Sequence, residues 1–303
     1  MVPRSESIPQ PPRDRRARLE ASVLPEAFTS SVRFKYAGCH RVSGMAVIGS
    51  PSLLIRGILD FRDALAARDP NRTNPIFTDN EVANAFLIAD DWAFLAGVIG
   101  DYQMPAERAW AVPYNLSQRL GGWGVELVAE NPDRVLGAFL GPPALHRFPT
   151  QSARWFVAGA QRVIDDYSGN AGAVWNDQPT ARELQARLTE FVGISQKKAA
   201  MAVEILNGQF GIDIRELSGS DIAYDVHVRR VMLRTGLAER DEVNHMVEAA
   251  RLANPERPGA LDLPMWEIGK TWCRARRPEC ERCVIGDVCP RHVDAAANVR
   301  GAE

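Results

Sequence analysis

"TARELQARLTEFVGISQKKAAMAVEILNG", residues 180–208, carries the most legible local structure in the chain. Thr180 followed three positions later by Glu183 is the pattern in which a hydroxyl caps a helix start and a carboxylate reaches back to the capping backbone. Leu184, Leu188 and Phe191 then recur at i, i+4 and i+7, one face of a helix. Gly193 interrupts that face, because glycine takes backbone angles other residues avoid. Ser195 stands where an N-cap belongs, Ala199, Ala202, Val203 and Leu206 give the next helix its apolar side, and Gly208 closes it. The pattern predicts two short helices joined by a tight turn. Backbone N–H groups at the start of the second helix lack intrahelical partners and favour an anion, so such a hairpin grips a phosphate without reading sequence. It also reads as a plain αα-hairpin packed in a helical domain.

Outward from the hairpin the chain stays helical. "NEVANAFLIADDWAFLAGVIGDYQ" (80–103) is apolar enough to be buried nearly all round, and residues 106–122, 131–141 and 150–167 each repeat apolar residues at helical spacing. "MAVIGSPSLLIRGILDFRDAL" (45–65) ends in another predicted helix, and residues 1–20, rich in Pro, Arg and Ser, read as a disordered tail. No sustained strand alternation and no internal repeat occur. The fold class is all-α.

With 303 residues, 46% hydrophobic and 24% charged, the chain is long enough for one large domain or two modest ones around sizeable cores. No stretch approaches the roughly 18 apolar residues of a membrane helix. The first residues carry no apolar signal region, which predicts a protein of the reducing cytoplasm with no membrane partner. The net charge of −2 is not that of a generally basic nucleic-acid binder, but Lys270, Arg274, Arg276, Arg277, Arg282 and Arg291 cluster together. They form either a solvated loop or a phosphate-facing one.

That basic run surrounds "WCRARRPECERCVIGDVC" (272–289), which holds four of the five cysteines, Cys39 being the other. Cys273, Cys280, Cys283 and Cys289 are spaced C-x6-C-x2-C-x5-C. Four thiolates this close suit a structural zinc or a [4Fe–4S] cluster. Zinc sites usually pair two C-x2-C knuckles across a longer spacer, and only one such knuckle exists here, which favours iron–sulfur.

Between hairpin and cysteines, "AYDVHVRRVMLRTGL" (223–237) begins a helix with Val228, Val231 and Met232 on one side and Asp225 at the N-cap. Capping alone accounts for an aspartate there. An aspartate beside the positive helix end also stays ionised, as an electrostatic catalyst needs. Lys197 and Lys198 read either as solvated chains or as an amine whose pKa is lowered by the helix start and burial, able to form a Schiff base. His40, His146 and His245 are isolated and read as ordinary surface or core residues.

The order helix, glycine turn, helix, lysine, capped aspartate, C-x6-C-x2-C-x5-C resembles the helix-hairpin-helix DNA glycosylase superfamily, in particular its iron–sulfur members typified by endonuclease III. The hairpin, roughly LPGVGRKTA in that family, is "FVGISQKKA" here, and the family's VDTH-like stretch is "YDVH". The cysteine spacing matches at every gap, and the resemblance covers roughly residues 85–289. "AVWNDQPTARELQARL" is similar to a less characterised actinobacterial branch. Departures are Ser195 for the second hairpin glycine, Phe191-Val192 for Leu-Pro, and an insertion at "GIDIRELSGSD" (211–221).

The resemblance implies two helical lobes with the active site in the cleft: a tail to residue 20, a segment 21–90 packing partly with the cluster lobe, a six-helix barrel over 91–224 with the hairpin at 181–207, C-terminal helices with the cluster loop over 225–292, and a tail over 293–303. It implies a monomer, nucleoid-associated, that flips a damaged or mismatched base out of duplex DNA and excises it in base excision repair. Asp225 would stabilise the sugar cation, and Lys197 or Lys198 would be the amine of an AP-lyase. Gln103 would fill the gap left by the base. Gly193, Ser195, Arg274, Arg276, Arg277 and Arg282 would hold DNA, and the four cysteines a [4Fe–4S] cluster. The alternatives are a monofunctional glycosylase of the same fold for mismatched or alkylated bases, a non-catalytic lesion- or structure-specific DNA-binding protein, and a zinc-binding helical protein.

Overall fold

The computed structural model describes residues 50–67, 77–296 and 299. The expected N-terminal tail, Cys39 and His40 lie outside the described residues. Among the described residues every regular element is helical: α1 (Pro51–Ala67), α2 (Glu81–Ala89), α3 (Asp91–Gly100), α4 (Ala106–Trp110), α5 (Val112–Leu120), α6 (Val125–Glu130), α7 (Pro132–Leu140), α8 (Pro149–Tyr167), α9 (Ala181–Thr189), α10 (Gln196–Gly208), α11 (Val226–Thr235), α12 (Val243–Ala253) and α13 (Asp262–Thr271), with short 3₁₀ turns between some of them.

Residues 87–214 build a first core. At its centre α3 has Trp92 to Gly100 buried without exception, because α2, α4, α5 and α8 surround it. That uniform apolarity is what the sequence shows for 91–100. It does not extend to α2, where Val82 is 60% exposed and only Ala83, Asn84 and Leu87 are buried. Asn80 caps α2 by accepting the Val82 and Ala83 N–H groups, and Asp90 caps α3 through Ala93 N–H at 2.7 Å, so a polar break of one residue lets the chain reverse between them. No single described helix is long and apolar enough to cross a membrane.

A second core joins Leu54, Ile58 and Phe61 of α1 to Val228, Val231 and Met232 of α11, Met246 and Ala250 of α12, Met265 and Ile268 of α13, and Ile285 of the cysteine loop. Helix α1, in the segment expected to pack partly with the cluster lobe, lies against this loop: Phe61 meets the Trp272 ring edge-on at 5.6 Å. Val293–Ala296, expected as the start of a tail, is a 3₁₀ turn with Ala296 buried in this core.

The hairpin is α9, a turn and α10. Both halves of the capping box form, Glu183 N–H to Thr180 Oγ1 at 3.2 Å and Thr180 N–H to Glu183 Oε2 at 2.7 Å. Phe191 falls just past the helix but is buried as a turn anchor, with Ile194 N–H returning to its carbonyl at 3.0 Å. Ser195 takes the N-cap backbone conformation, yet its side chain makes no capping hydrogen bond. The expectation of a capping hydroxyl is thus corrected: the extended backbone at Ser195 starts α10 without it.

Candidate active site

The start of α10 and the start of α11 bring Lys197 and Asp225 together. Lys197 Nζ lies 2.7 Å from Asp225 Oδ2, with the lysine side chain 46% exposed and the aspartate 9%. Asp225 caps α11 by accepting the His227 N–H at 2.8 Å through Oδ1, so one oxygen is fixed by the helix and the other faces the lysine. Burial works against its charge, but the Lys197 ammonium and the His227 N–H hold the Asp225 carboxyl below the usual carboxylate range. Burial likewise opposes the charge on Lys197. The nearby carboxylates of Asp225, Asp101 and Asp262 more than offset it, and Lys197 is held above the ordinary lysine range.

The sequence left open which of the two lysines, if either, has a lowered pKa, and Lys197 does not. The lowered lysine is its neighbour. Lys198 is turned the other way and is 6% exposed; its Nζ donates to Ile99 O and Gly193 O, each at 2.8 Å. It also sits over the rings of Tyr102, at 5.2 Å, and Trp155, at 5.8 Å. Burial pushes it down to about 8. Of the two lysines the sequence left open, Lys197 faces Asp225 and Lys198 braces the hairpin turn. Consecutive helical residues point about 100° apart, so adjacency in sequence separated their surroundings.

Gly193 in that turn has φ +92°, and a Cβ there would stand 2.6 Å from Trp155 Cε3. Only glycine fits both the left-handed backbone and the indole against it. Gln103 is exposed with φ +46° on the turn after α3. Ser195 is exposed at the start of α10, and Arg274, Arg276, Arg277 and Arg282 are exposed on the cysteine loop, Arg282 pairing with Glu279 at 2.6 Å.

Sequence reasoning missed several residues around the pair. Asp262 Oδ1 accepts the Ala223 N–H at 2.8 Å, fixing the segment that enters Asp225; burial, with repulsion from Glu204 and Asp225, pushes it up to about 7. His146, buried in the first core, donates Nε2–H to Gly100 O at 3.1 Å, since its Nδ1 accepts the Phe148 N–H at 3.0 Å. Arg230 and Arg234, one turn apart on α11, are each 4% exposed. Arg230 donates to Cys273 O at 2.6 Å, Gly269 O at 2.9 Å and His227 Nδ1 at 2.9 Å. Arg234 donates to Arg274 O at 2.7 Å and Ala275 O at 2.8 Å, and reaches Cys273 Sγ at 3.5 Å. The visible signal was two arginines sharing a helix with Val228, Val231 and Met232: a charge on a mostly buried helix needs buried partners.

The four cysteine thiols are free and line one cavity of about 390 Å³, mouth included, together with Val231, Ile268, Ile285 and Arg234. Burial pushes the Cys283 thiol up to about 11. Among the described residues no three Cys, His, Asp or Glu side chains converge as a group holding one ion would.

No protein-family model matches the chain. It is 31% identical over 109 residues to endonuclease III of Haemophilus influenzae and 32% identical over 109 residues to endonuclease III of Escherichia coli strain K12. Each match takes in 35% of this chain and 46% of the relative, so the chain spans just under half the length of the curated relatives it matches. In structure it is similar to endonuclease III trapped as a covalent intermediate with DNA, with TM-score 0.56 and 18% identity over 82% of this chain and 99% of that one. A thermostable thymine-DNA glycosylase follows at TM-score 0.54, with 17% identity over 80% and 96%. The architecture is the all-α helix-hairpin-helix glycosylase fold. Sequence and fold together relate this chain to the helix-hairpin-helix DNA glycosylase superfamily.

Proposed function

We propose that this protein is a DNA N-glycosylase of base excision repair, acting on duplex DNA that contains a damaged or mismatched base. The observation that carries the reading is the Lys197–Asp225 pair, set at two helix starts next to the glycine turn in a chain with this fold. A base inside the stack cannot be attacked at its glycosidic bond, so the nucleotide must be flipped into the cleft. Asp225, ionised and buried, then faces the positive charge that develops on the sugar, as glycosidase carboxylates do. Gln103, exposed on a strained turn, is the side chain that enters the vacated stack. Hairpin N–H groups at Gly193 and Ser195, with Arg274, Arg276, Arg277 and Arg282, hold phosphates, and the two cores are the two lobes flanking the cleft.

Lys197 supplies the amine for attack at C1′ and hence an AP-lyase step. The raised pKa of Lys197 favours a second reading, in which the ammonium only positions Asp225 and water completes a monofunctional reaction.

Cys273, Cys280, Cys283 and Cys289 would hold a [4Fe–4S] cluster. The donor set fits. Four free thiols surround a mostly apolar cavity, and the loop is wound so tightly that a Cβ on Gly286 would stand 2.3 Å from Cys280 O. When bound, the cluster supplies rigidity to the arginine-bearing loop; no step of the reaction passes through it.

The test is borohydride trapping and base release on labelled duplexes carrying an abasic site, oxidised pyrimidines, mismatches or alkylated bases. A trapped adduct lost in Lys197→Ala establishes the lyase, and base release with no adduct establishes the monofunctional enzyme. Neither reaction in cluster-loaded protein would overturn the glycosylase reading.

A further inference from the structure

The turn after α3, which carries Gln103, and the hairpin turn, which carries Gly193, are joined by one side chain. Lys198, 6% exposed, donates from its Nζ to Ile99 O at the end of α3 and to Gly193 O in the hairpin, each at 2.8 Å. The same nitrogen lies 5.2 Å from the centre of the Tyr102 ring and 5.8 Å from that of Trp155. Those rings bridge the same two turns. Tyr102, next to Gln103, lies 4.6 Å from Trp155 between ring centroids, and Trp155 fills the space where a Cβ on Gly193 would stand. The two turns differ in what else holds them. The hairpin closes on itself, through Ile194 N–H to Phe191 O at 3.0 Å and the packing of α9 on α10. The Gln103 turn leans on groups from elsewhere: His146 donates to Gly100 O at 3.1 Å and stacks on Tyr102 at 4.4 Å, and Arg147 reaches Gln103 O at 3.4 Å. Gln103 itself is held at φ +46°, a left-handed conformation that a residue with a side chain keeps only where its surroundings impose it.

Resting on the glycosylase reading above, we propose that Lys198 is a positioning residue. It ties the turn bearing Gln103 to the hairpin, so that seating a phosphate on the hairpin also sets Gln103 against the base to be displaced. Stability does not account for a lysine here. A buried amine is costly to desolvate, and an apolar chain of the same length would fill the space. What that chain lacks is a donor to two carbonyls at once. An ammonium has three N–H groups and a neutral amine two, so the link holds in either protonation state. Lys197, one position earlier, is the lysine that faces Asp225, which leaves Lys198 outside the chemistry. Without the link the hairpin keeps its own closure and its phosphate contact, while Gln103 loses its fixed bearing on the stack. A misplacement of about 1 Å is enough to cost up to about a hundredfold in rate.

The experiment is a double-mutant cycle of Lys198→Met and Gln103→Ala, read on the duplexes of the panel above with 2-aminopurine placed beside the target base. Its fluorescence rises as the neighbouring base leaves the stack, and single-turnover base release is followed on the same duplexes. Affinity for undamaged duplex, with its salt slope, runs beside them as the measure of phosphate contact. Lys198→Met is expected to slow both the fluorescence rise and base release about tenfold. Its affinity for undamaged duplex should stay within about threefold of wild type with the same slope. In the Gln103→Ala background no side chain is left to position, and Lys198→Met should cost less than about twofold more. An undiminished loss in that background would overturn the proposal, because Lys198 would then act on the fold rather than through Gln103. Wild-type fluorescence and release in Lys198→Met would overturn it too, as would a fall in undamaged-duplex affinity matching the fall in release. Wild type that raises the fluorescence but releases no base would remove the glycosylase reading, and the fluorescence cycle alone would then decide the role of Lys198. Wild type that binds with no fluorescence rise on any duplex would remove both.

Discussion

Lys197 Nζ and Asp225 Oδ2 stand 2.7 Å apart although 28 positions separate the residues, because α10 and α11 both begin at the same place between the two cores. Each charge maintains the other. Asp225 is held low, so its contribution to stability is present above its unfolded value of 3.8 and is lost as pH falls through the folded value. Lys197 is held high, so its contribution is present below 10.5 and is lost as pH rises past that. The lysine is half exposed, and solvent screening keeps the pair's net worth small. Lys197→Ala is therefore expected to lower the urea midpoint only slightly while abolishing any trapped adduct. Asp225→Asn should depress base release by about two to four orders of magnitude, the range for a single electrostatic or acid–base group. Single-turnover assays beside urea titrations of the three proteins measure both.

Lys198 obeys the opposite sign. Its folded value of about 8 lies below the unfolded 10.5, so the native state resists its charge. Stability should then rise with pH between about 8 and 10.5, by up to roughly 3 kcal/mol for that shift. Lys198→Met removes the titrating group and two hydrogen bonds to Ile99 O and Gly193 O. The variant should lack this rise, so its curve should fall progressively below wild type's in relative change across the same interval. Unfolding midpoints at pH 7.5, 9 and 10 distinguish the two, and parallel curves for wild type and variant would contradict the assignment.

Local signals carried much of this into the sequence. The capping box at Thr180 and Glu183, the N-cap at Asp225 and the apolar face of α10 each depend on residues within a few positions, and each forms as its spacing dictates. The division of labour between Lys197 and Lys198 was not legible, because it depends on which partners, Asp225 or Ile99 and Gly193, distant segments bring to each side of one helix. Asp262 and Asp101 were hidden for the same reason. Nothing next to Asp262 in sequence announces that it will accept the Ala223 N–H across 39 positions. The place of α1 is non-local too, its neighbours Trp272 and Ile285 lying more than 200 positions away, and only the family resemblance pointed its segment toward the cluster lobe.

Arg234 offers a test of the cysteine loop that does not touch a thiol. Its guanidinium satisfies the carbonyls of Arg274 and Ala275 from within the core, and replacing it strands those groups. Each of these hydrogen bonds from a charged donor contributes about 1.5–3 kcal/mol. Protein purified without oxygen should contain about four iron and four sulfide per chain. Arg234→Leu should lose most of both while retaining the helical circular dichroism of the first core, and Cys280→Ser should do the same. Zinc at one per chain with no sulfide in wild type would replace the cluster by a mononuclear site.

Gly193 is where a test of packing and a test of the proposed phosphate contact coincide. Alanine there meets two separable penalties: a φ of +92° that costs about 1–3 kcal/mol for a side-chain-bearing residue, and a Cβ 2.6 Å from Trp155 Cε3. Trp155→Ala removes the second penalty and leaves the first. Gly193→Ala should consequently destabilise wild type more than it destabilises the Trp155→Ala background, a coupling that a double-mutant cycle reads directly. Because the same turn presents the first N–H groups of α10, Gly193→Ala should also weaken duplex binding in both backgrounds and reduce the slope of log affinity against log salt, as expected when a phosphate contact is lost. An unchanged salt slope with weakened folding would confine Gly193 to packing and take the hairpin off the DNA-binding surface.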